Sequence, residues 1–286
     1  MQRRLPILWA QLQPDWMDER CGEHTMRLLG GRLSLRNPWL LPSQLLGVVV
    51  GSVGAARLLR LRPLRLRYAS AYLAHALLFF CGMNLTSVAA HALLPRGSVS
   101  WVVFACLDVA FTGSASAAVI MAAILPPPAS ATGAAAAAVR CAHALVLALS
   151  LSAAGAVLQL PWVPEAVYLG TTVLAVVTTA HAKLLPEAGA LLQELLAGRE
   201  SKAGDGRRPR VAALAVGAGG AALMLACLPL DAWLCATFGH PALSTVPLLF
   251  LGSDLAFLAL VLLALAGAQG PARRAQAAAR GSTRRS

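Results

Sequence analysis

Charged residues are scarce in this chain, which excludes an ordinary soluble globular domain. Asp, Glu, Lys and Arg make up 13% of its 286 residues, whereas soluble domains average about 25%. Hydrophobic residues make up 58%, and the mean hydropathy is +0.67. Apolar runs of about twenty residues recur along the whole chain, and each is long enough to cross a hydrocarbon core of about 30 Å. The composition therefore predicts an all-α, polytopic membrane protein built as one helical domain.

Acidic residues are the scarcer of the two charged classes. The chain has 12 Asp and Glu against 24 Lys and Arg, for a formal net charge of +12. A basic excess can indicate nucleic-acid binding, but here the cations cluster between the apolar runs, and no basic stretch carries interleaved aromatic residues. This pattern favours cationic loops on the cytosolic face of a membrane. We expect no nucleic-acid partner.

The N-terminus lacks the long apolar run of a cleavable signal peptide. Arg3 and Arg4 precede an apolar patch over residues 5–10, which is broken by Pro6. This patch is shorter than the usual hydrophobic region of a signal peptide. We therefore expect that the N-terminal arm is not removed.

Seven apolar segments divide the chain. They lie near residues 39–59, 68–94, 99–125, 136–158, 165–185, 211–229 and 243–267. We predict a seven-helix transmembrane domain over 39–267, preceded by an arm over 1–38 and followed by a basic tail over 268–286. The first and sixth segments are rich in glycine, and small residues allow helices to approach closely in lipid.

The positions of the cations predict the orientation of the bundle. They concentrate in the first connection, in the loop over 186–210 and in the C-terminal tail, and cytosolic loops carry an excess of Lys and Arg. The first connection holds Arg57, Arg60, Arg62, Arg65 and Arg67, and the long loop holds Arg199, Lys202, Arg207, Arg208 and Arg210. We therefore predict a luminal or extracellular N-terminus and a cytosolic C-terminus.

Polar residues interrupt the apolar segments at two places that this topology brings to the same leaflet. Ser87 and His91 lie near the end of the second segment, and Asp108 lies inside the third. His240 begins the last segment and is followed by Ser244. Ionisable groups within a membrane are costly and usually mark a function. A hydrogen-bonded structural role is the alternative for each histidine, and for the pair it is as plausible as a metal site.

Zinc is the metal that such a pair of histidines would suit. A catalytic zinc site uses three protein ligands and keeps one position open for water. His91 and His240 supply two imidazoles. Asp108 is either a third ligand or the base that acts on the water, and the sequence leaves both roles open.

The same residues resemble a family pattern. Ser87-Val-Ala-Ala-His91, then Leu107-Asp108-Val109, then Gly239-His240-Pro-Ala-Leu-Ser244 resemble, in the same order, the motifs of the alkaline ceramidases. Those enzymes belong to a superfamily of seven-helix membrane hydrolases that also includes the progestin and adipoQ receptors. The acidic stretch from Asp15-Trp16 to Cys21 resembles the start of that family, and Ser43-Gln44-Leu45 resembles its first-helix motif.

The resemblance implies a zinc-dependent hydrolase that cleaves the amide of ceramide to sphingosine and a fatty acid. His91 and His240 would be zinc ligands, Asp108 would handle the proton of the water, and Ser87 would stabilise the oxyanion. Metal ions activate bound water and polarise carbonyl groups. The chain departs from the family at Ser244, which stands where the family has its third histidine. It also departs in the longer separation of His91 from Asp108, which predicts that Asp108 lies deeper in its helix.

The acidic arm is a candidate calcium site. Its carboxylates are Asp15, Asp18, Glu19 and Glu23, and calcium prefers such oxygen ligands. The family's acidic residue before the first helix is Asn37 here, and a solvated acidic arm is the alternative.

Two further predictions follow from the topology. Cys21 and Cys235 are the two of six cysteines that fall in luminal segments, where disulfides persist, so we expect them to be paired. The other four cysteines are expected to serve in helix packing. Asp254 lies deep in the last segment; we expect it to serve as a buried polar partner, with a substrate or proton path as the alternative.

Three function classes remain. The first is a membrane-embedded lipid amide hydrolase in the endoplasmic reticulum or Golgi, with a ceramide-like lipid as substrate. The second is a catalytically inactive relative that binds a lipid as receptor or regulator. The third is an unrelated transporter, which the lack of clear internal repeats or broken helices disfavours. We favour the hydrolase because Ser87, His91, Asp108 and His240 occur together.

Overall fold

The fold is described from a computed structural model. It describes residues 25–28, 33–62, 64–95, 98–160, 162–196, 209–224, 237 and 245–283. About 88% of these residues are helical, which confirms the predicted helical class. Within them, six helices are long and apolar enough to cross a membrane.

The six candidate spans match the predicted segments closely. They are Leu40–Leu59, Ala71–Leu93, Val99–Ile124, Ala131–Val157, Trp162–Ala190 and Leu248–Ala268. The sixth predicted segment, 211–229, coincides with a shorter apolar helix over Pro209–Met224, and residues 225–229 lie outside the described part. The count of seven spans therefore stays a prediction.

The elements are labelled here in chain order. They are β1 (Thr25–Leu28), β2 (Leu33–Arg36), α1 (Leu40–Leu59), α2 (Leu64–Ala69), α3 (Ala71–Ser87), α4 (Val99–Ile124), α5 (Ala131–Val157), α6 (Trp162–Glu165), α7 (Thr171–Thr179), α8 (Leu185–Leu196), α9 (Pro209–Met224) and α10 (Thr245–Thr283). Three π-helical turns lie between or after these helices. Val88–Leu93 extends α3, Ala166–Gly170 joins α6 to α7, and Ala180–Leu184 joins α7 to α8.

Serine caps and prolines define the ends of the central helices. The Ser98 side chain accepts a hydrogen bond from the Trp101 backbone N–H at 3.2 Å, and Ser130 accepts one from Gly133 at 3.2 Å. Each cap satisfies an N–H that has no partner within its helix. The three prolines over 126–128 follow the end of α4 and lack the N–H that a helix needs. These signals explain where α4 begins and ends and where α5 begins.

A short hairpin in the N-terminal arm was not expected from the sequence. β1 and β2 pair antiparallel, with Thr25 opposite Arg36 and Leu28 opposite Leu33. The chain then enters α1 through Asn37, whose φ of 47° lies in the left-handed region that asparagine tolerates. The Arg36 guanidinium donates a hydrogen bond to the carbonyl of Leu94. The hairpin is thereby attached to the end of α3.

Glycines bring α1 against its neighbours, as predicted for the first segment. A Cβ on Gly51 would lie 2.7 Å from the carbonyl oxygen of Leu77 in α3, and a Cβ on Gly54 would lie 2.8 Å from a methyl group of Val261 in α10. On Gly47 a Cβ would overlap the Asn84 side chain. Small residues at such positions permit close helix approach in lipid. α1 is therefore held between α3 and α10.

Candidate functional site

The structure brings His91 and Asp108 together. His91 Nε2 lies 3.6 Å from Asp108 Oδ2, and their side chains are 15% and 6% exposed. Side chains on a helix lean toward its N-terminus, and α3 and α4 are consecutive helices of opposite direction. The His91 side chain therefore points from the end of α3 toward the middle of that helix, and the Asp108 side chain points toward the start of α4, where the α3–α4 connection lies. This convergence compensates for the depth of Asp108 within its helix.

His91 stands on a π-helical turn. Residues Val88–Leu93 continue α3 with wider turns, and the Leu94 N–H donates to the Ala89 carbonyl at 2.9 Å. Such turns are rare and are frequent at functional sites. A regular helix was the expectation from the sequence, because no residue type marks a π-helical turn reliably.

Ser87 is held by a residue for which sequence reasoning gave no site role. The Gln44 Nε2 group of α1 donates a hydrogen bond to Ser87 Oγ at 2.8 Å, and both residues are fully buried. Since Ser87 Oγ accepts this bond, its own proton is available to another acceptor. The signal that could have found Gln44 is a primary amide inside an otherwise apolar span.

Asn84 completes the polar face of α3. Its amide nitrogen donates to the Phe80 carbonyl at 2.9 Å, and the residue is fully buried. The side chains of Asn84, Ser87 and His91 thus point into the bundle rather than toward lipid.

One oxygen of Asp108 has no hydrogen-bond partner among the residues that the structure describes. Oδ1 is buried and receives no hydrogen bond within the described part of the chain. A buried carboxylate oxygen without a donor is costly, so this atom is suited to a metal ion, a water molecule or a substrate proton. Among the described residues, no group of three or more His, Cys, Asp or Glu side chains could hold a metal ion. His91 and Asp108 are two candidate ligands, and a third must come from elsewhere.

Several predicted site residues lie outside the described residues. They are His240 and Ser244 of the predicted metal site, Cys21 and Cys235 of the predicted disulfide, and Asp15, Asp18, Glu19 and Glu23 of the possible calcium site. Their roles stay predictions. His75 is described, and its Nδ1 lies 2.7 Å from the Ala71 carbonyl, a structural contact within its own helix.

An apolar cavity begins one helical turn below this site. Its volume is about 180 Å³, and it lies between α3, α4, α7, α9 and α10. Met83 and Thr112 line its upper end; Met83 is one turn from Ser87, and the Thr112 hydroxyl donates to the backbone carbonyl of Asp108 at 2.8 Å. The other lining residues are mainly apolar. The cavity is therefore suited to a hydrocarbon chain whose polar group lies at Ser87, His91 and Asp108.

Comparison of the chain with family models, with curated proteins and with solved structures finds no match.

The contact between His91 and Asp108 predicts energetic coupling. We expect the variants His91→Gln and Asp108→Asn to be non-additive, with an interaction free energy of about 1–3 kcal/mol, since residues in contact couple in this range. The measurement is a double-mutant cycle on the thermal unfolding of protein purified in detergent. The control cycle pairs Asp108→Asn with His143→Gln, because His143 is exposed on α5. Additivity in both cycles would show that the pair does not interact.

Proposed function

We propose that this protein is a membrane-embedded, metal-dependent hydrolase of a lipid amide bond. The observation that carries the proposal is the contact of His91 with Asp108, one turn from the buried Ser87 hydroxyl and one turn from residues that line an apolar cavity. Such a reaction needs a general base, a hydroxyl group that donates a hydrogen bond to the reacting carbonyl, and a site within the membrane that binds the hydrocarbon chain.

Asp108 and Ser87 take different roles in this reaction. The unpartnered Oδ1 of Asp108 can hold the proton of an attacking water, with His91 at 3.6 Å from the other oxygen to stabilise the carboxylate. The Ser87 hydroxyl, which accepts from Gln44, can donate its proton to the carbonyl oxygen as negative charge develops there. Hydrogen bonds aimed at such an oxyanion stabilise the transition state more than the ground state.

The donor set is compatible with zinc. His91 and His240 would hold the ion, with Asp108 or Ser244 near the third position, and the unpartnered oxygen of Asp108 fits a cationic neighbour. Zinc would supply Lewis-acid polarisation of the amide and activation of water. The acidic arm could hold calcium in addition.

Ceramide is the proposed substrate, and hydrolysis of its amide bond would give sphingosine and a fatty acid. This identity rests on the resemblance to the alkaline ceramidases, while the cavity supports a lipid of some kind. The second candidate, a catalytically inactive relative that binds lipid as a receptor or regulator, is favoured by Ser244 at the place of a third histidine. The cavity serves either candidate.

The hydrolase makes a prediction about rate. We expect purified protein in detergent micelles to release fatty acid from a long-chain ceramide. Asp108→Asn should lower kcat about 10²–10⁴-fold, because it removes the general base. Ser87→Ala should lower kcat about 10²–10³-fold, because it removes one oxyanion donor.

His143→Ala is the control for this assay. Because His143 is exposed on α5, this substitution should leave the rate unchanged. Binding of ceramide by wild type without cleavage would favour the receptor. Cleavage that survives Asp108→Asn would contradict the role of Asp108.

We also propose seven spans, with a luminal N-terminus and a cytosolic C-terminus, in the endoplasmic reticulum or Golgi. Arginines in the first connection and in the tail support this orientation, since positive residues favour the cytosolic side. The helix over Pro209–Met224, extended through residues 225–229, would be the sixth span.

Glycosylation mapping tests this orientation. A glycosylation sequence, Asn-x-Thr, inserted within residues 1–24 should be glycosylated in cells, and the same insertion within the C-terminal tail should not. The glycan should remain sensitive to endoglycosidase H if the protein resides in the endoplasmic reticulum. Modification of the tail, or of both insertions, would refute the orientation.

A further inference from the structure

Asp254 is a buried carboxylate that the proposed reaction does not use. It is 1% exposed, and neither of its oxygens accepts a hydrogen bond within the described part of the chain. Asp254 is buried as predicted, but no side chain among the described residues donates a hydrogen bond to it. An unpaired charge in a membrane interior is strongly unfavourable, so this carboxylate needs a proton or a cation.

The packing of α10 on α1 establishes what Asp254 faces. Phe250 shares a core cluster with Leu40 at the start and Val50 in the middle of α1, whereas Val261 shares one with Ala55 and Leu58 near its end. The two helices therefore run in the same direction. Val261 lies against Gly54, and Asp254 and Gly47 each lie seven residues earlier, which is about two turns. Asp254 is thus at the level of Gly47 and on the helix face that meets α1.

The aromatic contacts of α10 support the same placement. Phe257 stacks on Phe80 of α3, with ring centroids 4.0 Å apart, and Phe250 lies in the same cluster as Phe80 and Met83. Asp254 lies between these two phenylalanines on one face of α10, since residues three and four apart are neighbours on a helix. That face therefore meets α3 as well as α1.

Asn84 of α3 lies at this same level. A Cβ placed on Gly47 would be 2.5 Å from Asn84 Oδ1, so the asparagine amide occupies the space that glycine leaves. Among the described residues, Asn84 Oδ1 has no donor, and neither has Gln44 Oε1 one turn away on α1. Within that part of the chain, four buried oxygens without donors thus belong to three side chains around one glycine, namely Gln44, Asn84 and Asp254.

We propose that Asp254, Asn84 and Gln44 form an internal site for a monovalent cation, with sodium as the ion. A single proton on Asp254 would provide one donor for several acceptors, whereas a bound cation can contact several oxygens at once. One carboxylate with neutral amide oxygens balances a single positive charge, whereas calcium usually takes six to eight oxygens with more carboxylates. The site is distinct from the His91–Asp108 pair and does not depend on the proposed hydrolysis.

Sodium binding to the full-length protein in detergent is the test. We expect ²²Na⁺ to bind at about one ion per chain. The thermal midpoint should rise by roughly 2–4 °C when NaCl replaces N-methylglucamine chloride at about ten times the dissociation constant. Asp254→Asn should abolish both effects, and Asn84→Ala, which keeps the carboxylate, should weaken binding roughly tenfold.

Asp108→Asn is the matched control, since it neutralises another buried carboxylate and should leave sodium binding unchanged. The response to sodium is measured without metal loading and without substrate, so its outcome is separate from that of the hydrolysis assay. Absence of ²²Na⁺ binding to wild type would overturn the proposal, even if Asp254→Asn fails to fold. Sodium binding that persists in Asp254→Asn would overturn it as well.

Discussion

The pairing of His91 with Asp108 is the contact on which the interior of the bundle depends. Both side chains enter a region where neither water nor lipid can satisfy them, so each needs the other or a ligand. The pair joins the end of α3 to α4, and the Gln44–Ser87 hydrogen bond joins α3 to α1 on the adjoining turn. The polar groups are therefore part of the helix packing as well as of the proposed chemistry.

Glycine spacing makes this arrangement possible. Gly47 and Gly51 allow α1 to approach α3 so closely that Asn84 and the backbone of α3 fill the space beside them. A larger residue at either position would separate the helices and remove Gln44 from Ser87. The polar layer and the small residues next to it thus depend on each other, and the apolar cavity lies beside α3, where α4, α7, α9 and α10 also line it.

Much of the helical organisation could be predicted from hydropathy alone, because a membrane span needs a long apolar run and little else. The convergence of Ser87, His91 and Asp108 on one part of the bundle was also predictable, since the turn at Pro95 makes α3 and α4 neighbours. The hairpin, the π-helical turn under His91 and the role of Gln44 were not predictable, because each depends on tertiary contacts. The level of Asp254 relative to Gly47 was not predictable either, because it follows from the packing of Val261 on Gly54.

Metal content tests the central claim most directly, namely that the partly buried His91 belongs to a metal site completed by His240. Wild-type protein, purified without chelators, should contain about one zinc per chain by mass spectrometric metal analysis. His91→Ala and His240→Ala should each lose it, and His143→Ala should retain it. Wild-type protein without zinc would contradict the metal-dependent account and leave the helical fold unaffected.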